Sequence, residues 1–315
     1  MIIEEITEVG CFEIGEGPHW DVDTHSLYFV DFLGKSINKY VPATKQHTQV
    51  ILKKSPSFII PVKESSDRFV ISLGRDLYII TWDGISDALS NMEIIGTVDI
   101  EPELKDNTFN DGKVDVYGNL WTGTLNLNVN IVTGLPKTGS LYSVSQKQIK
   151  KHFSGVSISN GLTWSKCSKK FYYNDSSKNT VDEFDYDAET LTLSNRRSIF
   201  SLEKHGIGGV PDGMTTDAAG NLWVALFQGN KVLNISTKEP ESLLGFIDMP
   251  ESIVTSVCFG GKNLDELYVT TAGNDHYVTI CNPKIKNAST KPVKGGLYKI
   301  TGLGVKGLPA EKFSF

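Results

Sequence analysis

The sequence has few cysteines, no cluster of basic residues and no long apolar run. Its four cysteines among 315 residues, Cys11, Cys167, Cys258 and Cys281, are scattered, and none forms a pair with metal or redox spacing. The net charge is −6, from 31 basic and 37 acidic residues, which argues against nucleic acid or an anionic membrane as a partner. No apolar run approaches membrane-spanning length, and no charged-then-apolar leader opens the chain. We therefore expect reduced thiols, a cytoplasmic location and no membrane or nucleic-acid partner.

The sequence also lacks a convincing amphipathic helix, and short apolar segments recur in its place. They start 50, 43, 51, 51 and 45 residues apart and occupy residues 27–30, 77–80, 120–121, 171–173, 222–224 and 267–269. A period of roughly 40–50 residues filled with short strands is typical of propeller blades. Six such units fit the length. We predict an all-β fold, a six-bladed β-propeller of four-stranded blades, as a single domain over residues 1–315.

The two ends of the chain have strand-like sequence. Residues 296–300 and 307–315 read as strands, and residues 1–12 contain alternating apolar positions. A ring of blades has to be closed, so we predict that both termini contribute strands to the same blade. Residues 274–294 are polar and rich in Asn, Lys and Pro, which favours a long surface loop.

An acid or amide precedes a glycine, about ten residues ahead of an apolar segment, at four points in the chain. These residues are Glu16, Asn110 with Asp111, Asn160 and Asp212. The first strand of each propeller blade lines the central channel, so equivalent positions should meet near the axis. Their oxygen atoms suit Ca²⁺, Mg²⁺ or Mn²⁺. The alternative is that the Asp-Gly and Asn-Gly pairs are turns, repeated because the blade is repeated.

His19 lies three residues after Glu16 and has two interpretations. It could be a further metal ligand, or it could form part of the channel wall as a hydrogen-bonding side chain. The tryptophans at repeat positions, Trp20, Trp121, Trp164 and Trp223, are interpreted as core residues that pack the blades.

Several of these motifs also resemble a known family. They are Gly-Glu-Gly-Pro-His-Trp at 15–20, Phe-Asn-Asp-Gly-Lys at 109–113, Ser-Asn-Gly-Leu at 159–162, Pro-Asp-Gly-Met at 211–214 and Phe-Gly-Gly-Lys-Asn at 259–263. In this order, over nearly the whole chain, they resemble the senescence-marker-protein/gluconolactonase/luciferin-regenerating-enzyme family. Residues 57–61 and 80–84 are most similar to its insect, firefly luciferin-regenerating branch.

The resemblance implies one catalytic divalent metal ion on the propeller axis. Glu16, Asn160 and Asp212 stand at the family's metal-ligand positions, and Asp212 is also the position credited with acid–base work. Asn110 stands at the metal-near, substrate-contacting position. We expect Ca²⁺, with Mg²⁺, Mn²⁺ and Zn²⁺ as alternatives.

Two positions depart from the family's regucalcin pattern, and both concern substrate. Thr108 stands where that pattern has Arg, and Asn128 lies in the loop where it has Glu. Losing both charged groups removes hydrogen bonds of roughly 1.5–3 kcal/mol each, so efficient hydrolysis of sugar lactones is not expected. We predict Asn110, Thr108 and Asn128 as substrate contacts. Phe58, Ile60, Thr108 and Leu125 are candidate wall residues, which would favour a less polar or aromatic substrate.

The predicted function is a divalent-metal-dependent hydrolase that acts on oxyluciferin or a related lactone or ester-like electrophile. Three alternatives stay open: a calcium-binding regulatory protein, a glucono-1,5-lactone hydrolase and a propeller that serves as a protein-binding platform. The expected partner is a small-molecule substrate, and the expected state is a monomer.

Overall fold

The computed structural model describes residues 1–146, 148–273 and 295–315. The loop expected at 274–294 therefore lies outside the described residues. Within the described ranges the chain forms strands β1 to β24 and three single 3-10 turns, Thr7–Val9, Pro102–Leu104 and Ser176–Lys178. No helix of these ranges is long and apolar enough to cross a membrane.

The strands form six antiparallel four-stranded sheets, which are the six blades of a β-propeller. Blade 1 contains β2 (Gly15–Asp21), β3 (Ser26–Asp31), β4 (Ser36–Val41) and β5 (Gln46–Ile51). Blade 2 contains β6 (Ile59–Pro61), β7 (Arg68–Leu73), β8 (Asp76–Thr81) and β9 (Asn91–Thr97). Blade 3 contains β10 (Asn107–Val114), β11 (Leu120–Asn126), β12 (Gly139–Ser145) and β13 (Gln148–Val156).

The second half of the chain completes the ring in the same way. Blade 4 contains β14 (Ser159–Trp164), β15 (Lys170–Asp175), β16 (Thr180–Asp187) and β17 (Thr192–Ser201). Blade 5 contains β18 (Val210–Thr216), β19 (Leu222–Phe227), β20 (Lys231–Ile235) and β21 (Leu243–Asp248). Blade 6 contains β22 (Ile253–Gly260), β23 (Glu266–Ala272), β24 (Leu297–Thr301) and β1 (Ile2–Glu5). The prediction of a six-bladed propeller is confirmed.

Burial decreases from the axis of the propeller to its rim. Every residue of the inner strands β14 and β22 is buried, whereas most of the outer strand β17 is exposed. Strands covered on both faces read as continuous apolar runs, which is why the recurring segments were visible in the sequence. Five of those segments lie in the second strand of a blade, but residues 77–80 lie in β8, the third strand of blade 2.

The core of the protein lies at the seams between blades. Six hydrophobic clusters of the described residues each join two neighbouring blades. The repeated tryptophans are buried in these clusters, as expected. Two of them are fixed by an acid at the preceding hairpin, since Trp121 Nε1 donates to Asp115 Oδ2 at 3.3 Å and Trp223 Nε1 donates to Asp217 Oδ2 at 3.0 Å.

The two ends of the chain close the ring only in part as predicted. β1 pairs with β24 in blade 6, so both termini contribute a strand to one blade, as predicted. Residues 307–315, however, form no strand. They make single bridges to two other blades, Asp217 to Gly307 and Val62 to Phe313, and so cross one end of the channel. Pro309 has no N–H to offer a ladder, and Phe313 is fully buried at the seam of blades 2 and 3.

Candidate metal centre

The four oxygen-bearing residues singled out from the repeat meet in one cavity. Glu16, Asn110, Asn160 and Asp212 come from β2, β10, β14 and β18, the inner strands of four blades. All four line a cavity of about 150 Å³ on the channel. Residues almost 200 positions apart in sequence are thus brought together because each inner strand faces the same axis.

A β-bulge accompanies each of these residues. The register of the inner strand shifts between Glu16 and His19 and at the matching place in the other three blades, around Asn110, Asn160 and Asp212. The inner strand of blade 2, β6, pairs without such a shift and carries isoleucines. Bulges re-aim side chains and are frequent beside functional sites. The alternation of an ordinary strand would not point each of these groups into the channel.

The glycines after the site residues lie within inner strands and not in turns. A Cβ atom on Gly161 would lie 2.3 Å from the carbonyl oxygen of Asp212. A Cβ atom on Gly213 would lie 2.0 Å from Ser256 Oγ on blade 6. These glycines let neighbouring inner strands approach closely at the site. The alternative interpretation of the Asp-Gly and Asn-Gly pairs as repeated turns is therefore wrong for these positions.

Local hydrogen bonds orient three of the four side chains. Asn110 Nδ2 donates to the carbonyl oxygen of Ser159 at 2.7 Å, and Asn160 Nδ2 donates to Ser176 Oγ at 3.1 Å. The backbone N–H of Gly17 donates to Glu16 Oε2 at 3.2 Å. With its nitrogen engaged, Asn160 has its Oδ1 atom available as a ligand.

Asp212 is different, because it has a buried oxygen without a partner. Its side chain is 3% exposed, and Oδ1 has no hydrogen-bond partner. A buried carboxylate oxygen left unpaired is costly. A cation at this position would satisfy it.

The charges of the site repel one another. Burial raises the pKa of Glu16 well above its ordinary value, and repulsion from Asp212 and Asp111 raises it further. Burial and repulsion from Asp111 likewise raise the pKa of Asp212, opposed by the nearby Asn160 amide and the N–H of Gly213. A bound cation reverses this effect, since it favours the ionised carboxylates.

The donor set fits a hard divalent cation. Among the residues that the structure describes, no three His, Cys, Asp or Glu side chains lie close enough to hold a metal by themselves, so an amide oxygen has to complete the site. Two carboxylates and an amide suit Ca²⁺ or Mg²⁺. Zn²⁺ prefers nitrogen and sulfur ligands, which this cavity does not offer.

Two carboxylates that the sequence analysis missed accept hydrogen bonds from the backbone directly before two inner strands. Asp31 accepts hydrogen bonds from the N–H groups of Glu13 and Ile14 at 3.0 and 2.9 Å, directly ahead of the strand that carries Glu16. Asp175 accepts from the N–H groups of Ser157 and Ile158 at 3.3 and 3.1 Å, directly ahead of Asn160. The signal was present in the sequence, because both acids close the second strand of their blades.

Apolar side chains form most of the remaining cavity wall. They are Ile14, Phe32, Leu33, Leu125, Leu127, Val129, Ile131, Ile158, Val210 and Phe227. Leu125 lies in this wall, as predicted. Phe58 and Ile60 were also predicted as wall residues, but they do not line this cavity. Both are buried at the seam of blades 2 and 3. The Phe58 ring fills the space beside Gly112, and Ile60 lines a second cavity on the channel.

Thr108 and Asn128 do not line this cavity. Thr108 is buried, and its hydroxyl donates to the carbonyl oxygen of Gly74 at 3.2 Å. Asn128 is exposed, and its amide donates to Asp106 Oδ2 at 3.4 Å. Their assignment as substrate contacts stays a prediction that this geometry does not favour.

A second cavity of about 170 Å³ lies on the channel where residues 308–311 cross it. His19 lines this second cavity and not the first. Burial lowers the pKa of His19 to about 4, so its ring is neutral at neutral pH. The structure therefore places His19 in the channel wall, apart from the candidate ligands.

Comparison with known proteins gives matches over the whole chain. The family model described as SMP-30/Gluconolactonase/LRE-like region matches residues 14–273. Regucalcin from Bos taurus is 38% identical over 315 residues, 99% of this chain and 98% of that protein. A solved luciferin-regenerating enzyme is 49% identical with a TM-score of 0.92, over 100% of this chain and 99% of that chain. A solved regucalcin from Agrobacterium tumefaciens, described as a calcium-binding protein, is 22% identical with a TM-score of 0.81, over 99% and 97% of the two chains.

Proposed function

Because this chain belongs to the SMP-30/gluconolactonase/LRE-like family, we propose that it is a divalent-metal-dependent hydrolase of a lactone, ester or similar carbonyl compound. The relatives support a hydrolase or lactonase-like role. The observation that carries the finer proposal is the unpaired, buried Oδ1 atom of Asp212 among the convergent side chains of Glu16 and Asn160.

Glu16, Asn160 and Asp212 would hold the metal ion, with Ca²⁺ as the first choice. A divalent cation bound there would polarise the carbonyl oxygen of a substrate and lower the pKa of a water molecule. Three protein ligands leave coordination positions open, as a catalytic site requires.

The chain's own residues would bind the substrate and move the proton. Asp212 would take a proton from water as the water oxygen attacks the carbonyl carbon, and it would give that proton to the leaving oxygen as the bond between that oxygen and the carbon breaks. Because a bound cation would favour the ionised form of Asp212 and weaken it as a base, the lowered pKa of the water molecule would contribute more to this proton transfer than the basicity of Asp212. Asn110 keeps one N–H and its Oδ1 atom to contact substrate, because only one of its N–H groups is used on Ser159.

The wall composition favours an apolar or aromatic substrate of the oxyluciferin type. A sugar lactone carries several hydroxyl groups, and each one buried without a partner is costly. Phe32 and Phe227 pack with aliphatic side chains at this cavity, and such a surface binds aromatic rings well. Glucono-1,5-lactone is therefore the weaker candidate. A calcium-binding regulatory protein is the second candidate function, because the regucalcin from Agrobacterium tumefaciens is a calcium-binding protein.

Turnover with and without metal tests the proposal. Protein freed of metal by chelation would be assayed with aryl esters, glucono-1,5-lactone and oxyluciferin, after addition of Ca²⁺, Mg²⁺, Mn²⁺ or Zn²⁺. We expect turnover only with a cation, and a loss of roughly 100-fold or more in Asp212→Asn. The matched control is Asp248→Asn, a rim carboxylate that is 63% exposed and should leave turnover unchanged.

Three results would contradict the proposal in different ways. Activity that resists chelation would exclude the metal. Full activity and metal affinity in Asp212→Asn would exclude its assigned role. Tight calcium binding without turnover of any tested compound would favour the regulatory alternative.

A further inference from the structure

A lysine crosses the channel beside the candidate metal centre. Lys113 belongs to β10 of blade 3, and its Nζ atom donates to the carbonyl oxygen of Met214, on β18 of blade 5, at 2.6 Å. Met214 lies two residues beyond Asp212. The ammonium group is therefore held close to that ligand position, on the same inner strand. Lys113 plays no part in the proposed chemistry, so its presence in the channel needs a separate explanation.

A third carboxylate faces the same region. Asp111 follows Asn110, is 8% exposed and lines the second cavity together with Lys113. Its Oδ1 atom accepts only a local hydrogen bond, from the N–H of Gly112 at 2.8 Å. Asp111 lies on the inner strand β10 directly after Asn110, which shares the first cavity with Glu16 and Asp212, so its charge lies close to the proposed ligands.

The other titratable groups along the channel are neutral or cancel. Burial keeps the ring of His19 neutral, with a pKa of about 4, and the thiol of Cys258 neutral, with a pKa of about 12. Lys166 and Glu311, which also line the second cavity, carry opposite charges. A bound cation favours the ionised form of Glu16, Asp212 and Asp111. These three carboxylates and the ammonium group of Lys113 then carry two negative charges in sum, which one divalent cation neutralises.

We propose that the charges of Lys113 and Asp111 together make the metal centre prefer a divalent cation over a trivalent one. This inference rests on the metal site proposed above and adds two residues that do not bind the metal. Lys113 acts by repelling any bound cation, and it repels a trivalent ion more strongly. Asp111 acts in the opposite direction.

Coulomb's law gives the size of the effect. A unit charge roughly 10 Å from the ion, at an effective dielectric constant near 20, changes the preference for a trivalent over a divalent ion by roughly tenfold. Terbium(III) and Ca²⁺ have similar radii and both prefer oxygen ligands, so the ratio of their affinities reports charge and not size.

The test is the ratio of the Ca²⁺ and Tb³⁺ dissociation constants, measured by titration calorimetry on the full chain. Lys113→Met should favour Tb³⁺ over Ca²⁺ by roughly tenfold relative to the parent protein, and Asp111→Asn should shift the ratio roughly tenfold the other way. Lys113→Arg keeps the charge and should leave the ratio unchanged. Lys262→Met, a substitution of an exposed lysine, is the matched control.

The outcomes separate this inference from the proposed function. If the parent protein binds neither ion, the metal centre itself is wrong and the inference fails with it. If the parent binds Ca²⁺ but Lys113→Met and Asp111→Asn leave the ratio unchanged, the metal centre stands and the charge-matching inference is overturned. Should Lys113→Met fail to fold, as judged by circular dichroism, the shift in Asp111→Asn decides the question.

Discussion

Ile6→Ala should destabilise the whole propeller, although Ile6 is the sixth residue of the chain and lines neither channel cavity. Ile6 is 3% exposed and Val9 is 5% exposed, and both pack with Trp20, Tyr268 and Leu297 in the cluster that joins blade 6 to blade 1. Truncating a buried isoleucine to alanine costs about 2–4 kcal/mol, since it removes buried methyl groups and leaves a cavity. That cost is a large part of a typical total stability of about 5–15 kcal/mol.

Ile2 offers a matched control in β1, the strand directly before Ile6. Ile2 is 68% exposed, so Ile2→Ala should change stability by less than about 0.5 kcal/mol. Both variants would be compared with the parent protein by urea unfolding, and by calorimetry if unfolding is reversible. Deleting residues 1–10 should cost several kcal/mol, about the sum for two buried side chains and the pairing of β1 with β24.

Equal unfolding midpoints for Ile6→Ala and Ile2→Ala would refute this reasoning. So would an unchanged melting temperature after the deletion. Either result would mean that the ring is closed by other contacts and that the first strand contributes little.

Three further predictions follow from the contacts at and around the site. Gly161→Ala should weaken Ca²⁺ binding at least about tenfold, because its Cβ atom would clash with the Asp212 backbone. Gly245 has open space around it, so Gly245→Ala should leave the Ca²⁺ dissociation constant, measured by titration calorimetry, unchanged. Burial lowers the pKa of His152 to about 4, so between pH 6.5 and 5 its ring gains a proton in the unfolded chain but not in the folded one. The free energy of unfolding should therefore drop on going from pH 7 to pH 5. His152→Gln should remove about 1–2 kcal/mol of that drop, measured by urea unfolding at both pH values. Asp31→Ala should cost about 2–4 kcal/mol, because three backbone N–H groups lose their acceptor, and should weaken Ca²⁺ binding more than an equally destabilising core variant does.

The sequence was sufficient for the architecture because a propeller is a repeat. Each blade carries a buried second strand that reads as an apolar run, and the run recurs at blade length. The pairing of residues 1–12 with residues 296–300 was also predictable, since the ring needs closure. The prediction of a strand at residues 307–315 was wrong. Phe313 has the apolar character of a strand residue, but it packs in the cluster formed by blades 2 and 3.

The candidate ligands could be located from the sequence, because equivalent positions of a circular repeat face one axis. A β-bulge in each inner strand directs Glu16, Asn160 and Asp212 into the same cavity. No local sequence rule fixes the position of such a bulge. Thr108 shows the limit, since its hydroxyl donates to Gly74 in the neighbouring blade, away from the cavity.

The sequence by itself determined the strands, their number and the residue types at the axis, because these depend on local periodicity. Only the tertiary structure decided which side chains face the candidate metal centre, which fill a seam between blades and which charged groups line the channel. The reason is that Lys113 and Met214 are 101 residues apart, and Asp31, at the end of β3, accepts from Ile14, which precedes β2. Their contacts exist only once six blades have closed around a common channel.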